Sequence, residues 1–209
     1  MSVDTGMAIV FADGTTFSTR GWSSGVAWST IKVPLAIAAL RAGVSVPIDA
    51  AITHSDNAVA EELWSALGDD AALQVQAVIR EAGDANTVVE SRRLRPGYTP
   101  FGQTQWSLLD QARFAAGLGG VAGSARVLEL MGALCEEHTW GLAARGFAAK
   151  GGWGPSRGED YLVRQFGIVP HGSGVAGIAL AAVLDRGYDI GVEMIDTMAK
   201  WALERLARQ

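Results

Sequence analysis

Apolar positions recur along this chain in two rhythms, and the places where the rhythm changes divide it into three stretches. At the start, "MAIVFAD" and "TTFSTRG" are short apolar or β-branched runs joined at Asp13-Gly14, a pair favoured in hairpin turns. A Gly/Ser-rich link, "GWSSG", leads on, and from Ser29 to about Arg41 the spacing turns helical. That segment is apolar on nearly every side, the pattern of a helix buried in a core. Pro34 falls in its first turns, where a missing N–H costs little. "VPIDAAITH" predicts a short helix. "NAVAEELWSALG" and "DDAALQVQAVIREAG" predict two more, each stopped by glycine. Residues 84–104 carry Pro96, Gly97, Pro100 and Gly102 and predict a long irregular loop, of a length that is usually functional or mobile in a compact domain. Helices resume at "QWSLLDQARFAAGL" and "SARVLELMGALCEEH". The period then shortens: "RGFAAKGGWG", "DYLVRQFGIVP" and "GVAGIALAAVL" read as strands. "IGVEMIDTMAKWALERLAR" closes the chain as an amphipathic helix with Lys200 on its polar side.

Two strands, a helical block, three strands and a last helix predict an α+β fold. Strands from both chain ends would join one antiparallel five-stranded sheet, with the helical block inserted and the final helix on one face. The expected organisation is a single domain over 1–209. Residues 1–28 and 147–209 would supply the sheet and terminal helix, and 29–146 the mainly helical block.

Composition narrows the function. A chain that is 49% hydrophobic and 19% charged is a packed globular protein. Its net charge of −5 includes no basic run, which argues against nucleic acid as a partner. Cys135 is the only cysteine, so an intramolecular disulfide and a CxxC site are excluded. His54, His138 and His171 lack ligand spacing, so neither a metal nor another cofactor is expected. No apolar run is long enough to span a bilayer. "MSVDTGMAIV" lacks the basic region and apolar core of a signal peptide, which fits a cytoplasmic protein or a trimmed mature chain.

Lysine is scarce: of 17 basic residues only Lys32, Lys150 and Lys200 are lysines. Lys32 stands at the head of the most apolar helix, where burial and the positive end of the helix dipole both disfavour the ammonium form. Ser29 lies three residues earlier, on the same face. Serine at that place can simply cap the helix, or its hydroxyl can be activated by a neutral lysine amine. Ser55-Asp56-Asn57 precedes another helix, and capping would need only one of the three. In "AAKGGWG", Lys150 ends a strand before two glycines; by itself it reads equally as a surface lysine beside a turn.

SxxK, SDN and KxG in that order form the motif set of serine β-lactamases and penicillin-binding proteins. The chain resembles that superfamily, and its layout is most similar to the class A β-lactamase branch. The resemblance implies an extracytoplasmic hydrolase or acyltransferase that takes a peptidoglycan-like peptide or a β-lactam small molecule. It implies Ser29 as the acylated nucleophile, Lys32 as its base and Ser55 as a proton relay to the leaving nitrogen. Asn57 would hold the substrate's amide side chain, Asp56 would be structural, and Lys150 would supply positive charge near the substrate carboxylate. The N–H groups of Ser29 and Trp153 would form the oxyanion hole, and Gly152 would let a substrate backbone lie along the strand.

Three departures alter the expected activity. Class A enzymes place a glutamate in an ExxLN stretch of the long loop; here that place falls near Arg93, and Glu90 is the only acid close by. Arginine cannot act as a base. The segment between Lys32 and Ser55 is short, which would open one side of the cleft. Gly151 stands where a threonine or serine hydroxyl is usual, and Arg164 on the next strand is the candidate to bind the substrate carboxylate instead. The expected activity is therefore D,D-peptidase-like or weakly β-lactam-hydrolysing. A catalytically inactive binding module for cell-wall peptide or a protein partner, and a cytosolic esterase, are the alternatives.

Overall fold

The computed structural model describes residues 3–156, 160–185 and 187–208. Strand β1 (Val3–Phe11) turns through Asp13-Gly14 into β2 (Thr16–Ser18). Gly14 adopts φ +84°, a left-handed conformation open to glycine, and Asp13 Oδ1 accepts from the Thr15 N–H at 2.9 Å. Strands β5 (Ala149–Pro155), β6 (Tyr161–His171) and β7 (Gly174–Leu184) complete an antiparallel five-stranded sheet, ordered β2-β1-β7-β6-β5. The two parts of the chain meet at the centre, where Val3 faces Leu184 and Phe11 faces Ala176.

Both faces of the sheet are covered, so its central strands are apolar at almost every position. Along β1, Met7, Ile9 and Phe11 point to α7 (Tyr188–Leu206), while Ala8 and Val10 point to the opposite layer. Helix α7 meets them with Ile195, Ala199, Ala202 and Leu206, and leaves Lys200 exposed. The other face packs on α5 (Leu108–Gly117), capped by Ser107, whose hydroxyl oxygen accepts from the Asp110 N–H at 3.0 Å. Beyond α5 lie α1 (Lys32–Arg41), α2 (Asp49–Thr53), α3 (Asn57–Ala66), α4 (Ala71–Glu81) and α6 (Ser124–Met131). Every residue of α1 from Lys32 to Ala39 is buried. No helix among the described residues is long and apolar enough to cross a membrane.

The structure departs from the sequence pattern in three places. The helix expected from Ser29 begins as a 3-10 turn over Trp28–Ile31. The "GWSSG" link contributes β3 (Ser24–Val26), which pairs with β4 (Gln105–Ser107), so the helix expected from Gln105 starts at Leu108. Pairing with a distant segment outweighs local helix propensity there: Trp106 is fully buried, and the Leu108 N–H donates to Ser23 O at 2.8 Å. The helix expected through His138 ends at Met131, before Gly132, and a separate 3-10 turn spans Glu136–His138.

The 84–104 segment is irregular, as expected, but it is anchored. The buried Asp84 carboxylate accepts from the N–H groups of Asn86 and Thr87 at 2.9 and 3.0 Å, and from Trp106 Nε1 at 2.9 Å. Arg80 donates to the carbonyls of Asp84 and Thr87.

Candidate active site

Three segments converge beside the first turn of α1: the 3-10 turn with Ser29, the α2–α3 junction with Ser55 and Asn57, and β5 with Lys150. They bound a cleft of about 550 Å³ lined by Ser29, Lys32, Ser55 and Asn57 and walled by Trp28, Tyr98, Trp153 and Tyr161. Two non-glycine residues at this site have positive φ, Trp28 at +51° and Ser55 at +55°. Each such conformation costs roughly 1–3 kcal/mol and persists only where its surroundings hold it. Ser29 makes no capping hydrogen bond, whereas Asp56 caps α3 by accepting from the Val59 N–H at 3.0 Å. Asp56 is thus structural, and the capping account of Ser29 is removed.

Ser55 lies between the two buried lysines. Lys150 Nζ donates to Ser55 Oγ at 2.8 Å and to Gly151 O at 3.0 Å. Lys32 Nζ donates to Ser55 O, to Asn57 Oδ1 at 2.7 Å and, at the longer distance of 3.4 Å, to Ser55 Oγ. Burial pushes Lys32 down to about 7, against a smaller upward pull from Asp56. Burial also holds Lys150 well below the usual lysine range, helped by the neighbouring charge of Lys32. A neutral Lys32 amine has two N–H groups, which Ser55 O and Asn57 Oδ1 satisfy, and its lone pair is then free. Among the described residues, no hydrogen bond joins Lys32 to Ser29.

Strand β5 is the edge of the sheet, and its register fixes which groups face the cleft. Ala148 O accepts from the Ile168 N–H at 3.0 Å. Alternation from that pair turns the backbone groups of Lys150, Gly152 and Gly154 towards β6. Those of Ala149, Gly151, Trp153 and Pro155 therefore face the open edge, and among the described residues nothing takes the Trp153 N–H there. Gly152 is required for a reason other than substrate contact: a Cβ at this position would lie 2.8 Å from Ser29 N and 2.9 Å from Ala27 O. Strand β5 and the Ser29 turn touch backbone to backbone. At Gly151 a Cβ would strike the Trp140 ring at 2.5 Å, so a threonine or serine does not fit without repacking.

Arg164 corrects the expectation that it meets a substrate carboxylate. It is fully buried on the helical-block face of the sheet, beneath the β3–β4 pair and α5 and outside the cleft lining, and donates to Gly25 O, Val26 O, Trp106 O and Gln111 Oε1 at 2.9–3.1 Å. It tethers the β3–β4 pair and α5 to β6, and burial alone lowers it to about 9. Glu90 lies outside the cleft, paired with Arg92 at 3.0 Å. Arg93 donates to Tyr98 O at 2.7 Å and pairs with Glu61 at 3.2 Å.

Sequence reasoning missed part of the cleft wall. His54 and His138, remote in sequence, both line it, as do Glu61, Tyr98 and Tyr161. His138 packs against the Trp153 ring at 5.1 Å, and burial together with Lys150 lowers its pKa. Glu61 alone carried a signal, since it follows Asn57 by one helical turn and shares its face.

No family model and no curated protein matches the sequence. Solved structures do match the fold. The chain is similar to the TLA-3 extended-spectrum β-lactamase, with a TM-score of 0.77, 14% identity, and coverage of 97% of this chain and 92% of that one. It is similar to PBP-A at TM-score 0.71 and 21% identity, covering 99% and 91%. A β-lactamase from Sphaerobacter thermophilus aligns at 0.72 and 19%, covering 98% and 92%. The chain has the serine β-lactamase/penicillin-binding-protein fold.

Proposed function

We propose that the cleft forms an acyl-enzyme at Ser29 with a peptide amide or a β-lactam, and releases it slowly, in the manner of a D,D-peptidase or a weak β-lactamase. One observation carries this reading: the Ser55 hydroxyl is held between two buried lysines in the cleft that Ser29 lines. The neutral Lys32 amine takes the Ser29 hydroxyl proton as Oγ attacks the carbonyl carbon. The oxyanion is met by the N–H groups of Ser29 and Trp153. When the tetrahedral intermediate collapses, the C–N electron pair goes to nitrogen. Nitrogen takes the Ser55 hydroxyl proton, which Lys32 replaces across their 3.4 Å contact. Lys150, held towards neutrality by burial, regains its proton when a substrate carboxylate arrives. A structure of a PBP-A variant, an acyl-enzyme complex with penicillin-G, supports a β-lactam as one ligand class.

Release requires a base to activate water. The loop residues that line the cleft, Gly97, Tyr98, Thr99, Phe101 and Gly102, include no carboxylate. Among the described residues Glu61 is the cleft's acid, and Arg93 holds it. This supports slow deacylation. The direction of the Lys32 contacts, towards Ser55 and Asn57, favours a second reading in which the cleft binds cell-wall peptide without reacting.

Intact-mass measurement separates these readings. Benzylpenicillin and an activated ester are each incubated with the native protein and with Ser29→Ala. The proposal expects a persistent adduct that requires Ser29. Absence of both adduct and turnover, with binding retained, would leave the non-catalytic reading in its place.

A further inference from the structure

The open edge of β5 is a template on which an extended substrate can pair, and two of its carbonyls are already occupied. By alternation four residues present backbone groups there, the fully buried Ala149 and then Gly151, Trp153 and Pro155. Gly151 O is taken by Lys150 Nζ at 3.0 Å. Pro155 has no N–H, and its carbonyl is taken by Arg95 Nη1 at 2.9 Å. The Ser156 N–H that follows donates to Asp160 O at 2.8 Å. Between Gly151 and Pro155, Trp153 is the residue with both an N–H and a C=O that no group among the described residues takes.

Arg95 is held firmly in that position. Its guanidinium lies 4.2 Å from the Tyr98 ring centroid and 5.9 Å from that of Trp28. Those two rings meet edge-on at 5.4 Å. Stacking on aromatic faces and a fixed donor geometry suit arginine to the role. The side chain thus joins the 84–104 loop to the end of β5 beside the residue that precedes Ser29.

We infer that Arg95 is a specificity-determining residue that ends the usable β5 edge at Trp153, restricting the acyl part of the substrate to a single residue or a compact acyl group. This rests on the acyl-enzyme reading above. With the scissile carbonyl at the Trp153 N–H and the substrate carboxylate towards Lys150, the acyl chain runs towards Pro155. Its first amide N–H can pair with Trp153 O. The next pairing position along an extended chain, about 7 Å further on, meets a proline nitrogen and a carbonyl already bonded to Arg95. Short acyl donors fit this edge, and extended peptides lose their pairing after one residue.

The test compares two thioesters, N-acetyl-D-alanyl and the same reagent lengthened by three further alanines, by the rate of Ser29 adduct formation. The native protein is expected to react at least tenfold faster with the short reagent. Arg95→Ala, and Arg95→Gln should the first variant fold poorly, are expected to reduce that ratio about tenfold. Arg95→Lys, which restores a donor to Pro155 O, is expected to recover most of it. Equal native rates would overturn the restriction while leaving the acyl-enzyme reading intact. A native preference unchanged in folded Arg95→Ala would overturn the role of Arg95. Failure of both thioesters to acylate the native protein would overturn the acyl-enzyme reading and this inference with it.

Discussion

Lys150 Nζ and Ser55 Oγ lie 2.8 Å apart across the cleft, linking a strand near the end of the chain to a helix junction in its first third. The contact matters because Lys32 reaches the same serine from the opposite side. Two buried cationic groups around one hydroxyl repel each other and lose hydration, and no carboxylate among the described residues touches either. The stable arrangement leaves at least one amine neutral at neutral pH, the state a base requires.

The pH dependence of acylation follows from Lys32. Its proton leaves near pH 7, so the rate of Ser29 adduct formation is expected to rise through about pH 7 and then level off. Stopped mass sampling from pH 5.5 to 8.5 measures it. Lys32→Ala is expected to lose at least 100-fold in rate; normal acylation by that variant would refute the base assignment.

Stability should carry the same signature with a definite sign. Between about pH 7 and the ordinary lysine value of 10.5, the unfolded chain binds a proton at Lys32 that the folded protein has released. Unfolding free energy therefore increases with pH across that window, by an amount on the order of 4 kcal/mol for this one group. Denaturant unfolding at pH 7 and pH 9 is expected to show the rise, and Lys32→Met is expected to reduce it, with Lys150 contributing a rise of the same sign.

Ser55 has a strained backbone conformation, at φ +55°. Ser55→Gly is expected to relieve it, raising stability by up to about 1 kcal/mol while lowering acylation about 100-fold. Thermal melting and adduct rates on one preparation test both halves. A stabilised variant that acylates normally would remove Ser55 from the proton path.

At Gly152 the added Cβ of alanine would press on the backbone of Ala27, Ser29 and Thr30. Gly152→Ala is expected to cost about 2 kcal/mol and to disturb the Ser29 turn, so melting temperature and acylation fall together.

Arg164 separates a structural role from a binding one. Arg164→Met strips a donor from three backbone carbonyls and from Gln111, and a loss of about 3 kcal/mol is expected. The substrate concentration giving half-maximal acylation should stay within twofold. A tenfold rise in that concentration with stability unchanged would return Arg164 to the substrate.

Much of the architecture was legible because the two periodicities differ so clearly. The alternation of Met7, Ile9 and Phe11 against Ala8 and Val10, and the helical spacing of Ile195, Ala199 and Ala202, are imprints of a sheet covered on both faces. Ser29 with Lys32, and Ser55 with Asn57, were legible because each pair lies within a turn. Arg164 was misplaced because strand alternation gives parity but not which layer lies behind each face. The β3–β4 pair was missed because its partners are about 80 residues apart.

The sequence by itself determined the order of the five sheet strands and of the main helices, and the spacing of Ser29 and Lys32, since each depends on local periodicity. Only the tertiary structure decided that Lys32 and Lys150 share Ser55, that Arg164 is a tether, and that Arg95 binds the Pro155 carbonyl at the end of β5. Those relations join segments distant along the chain, and their energies arise from burial and contact geometry that no local pattern encodes.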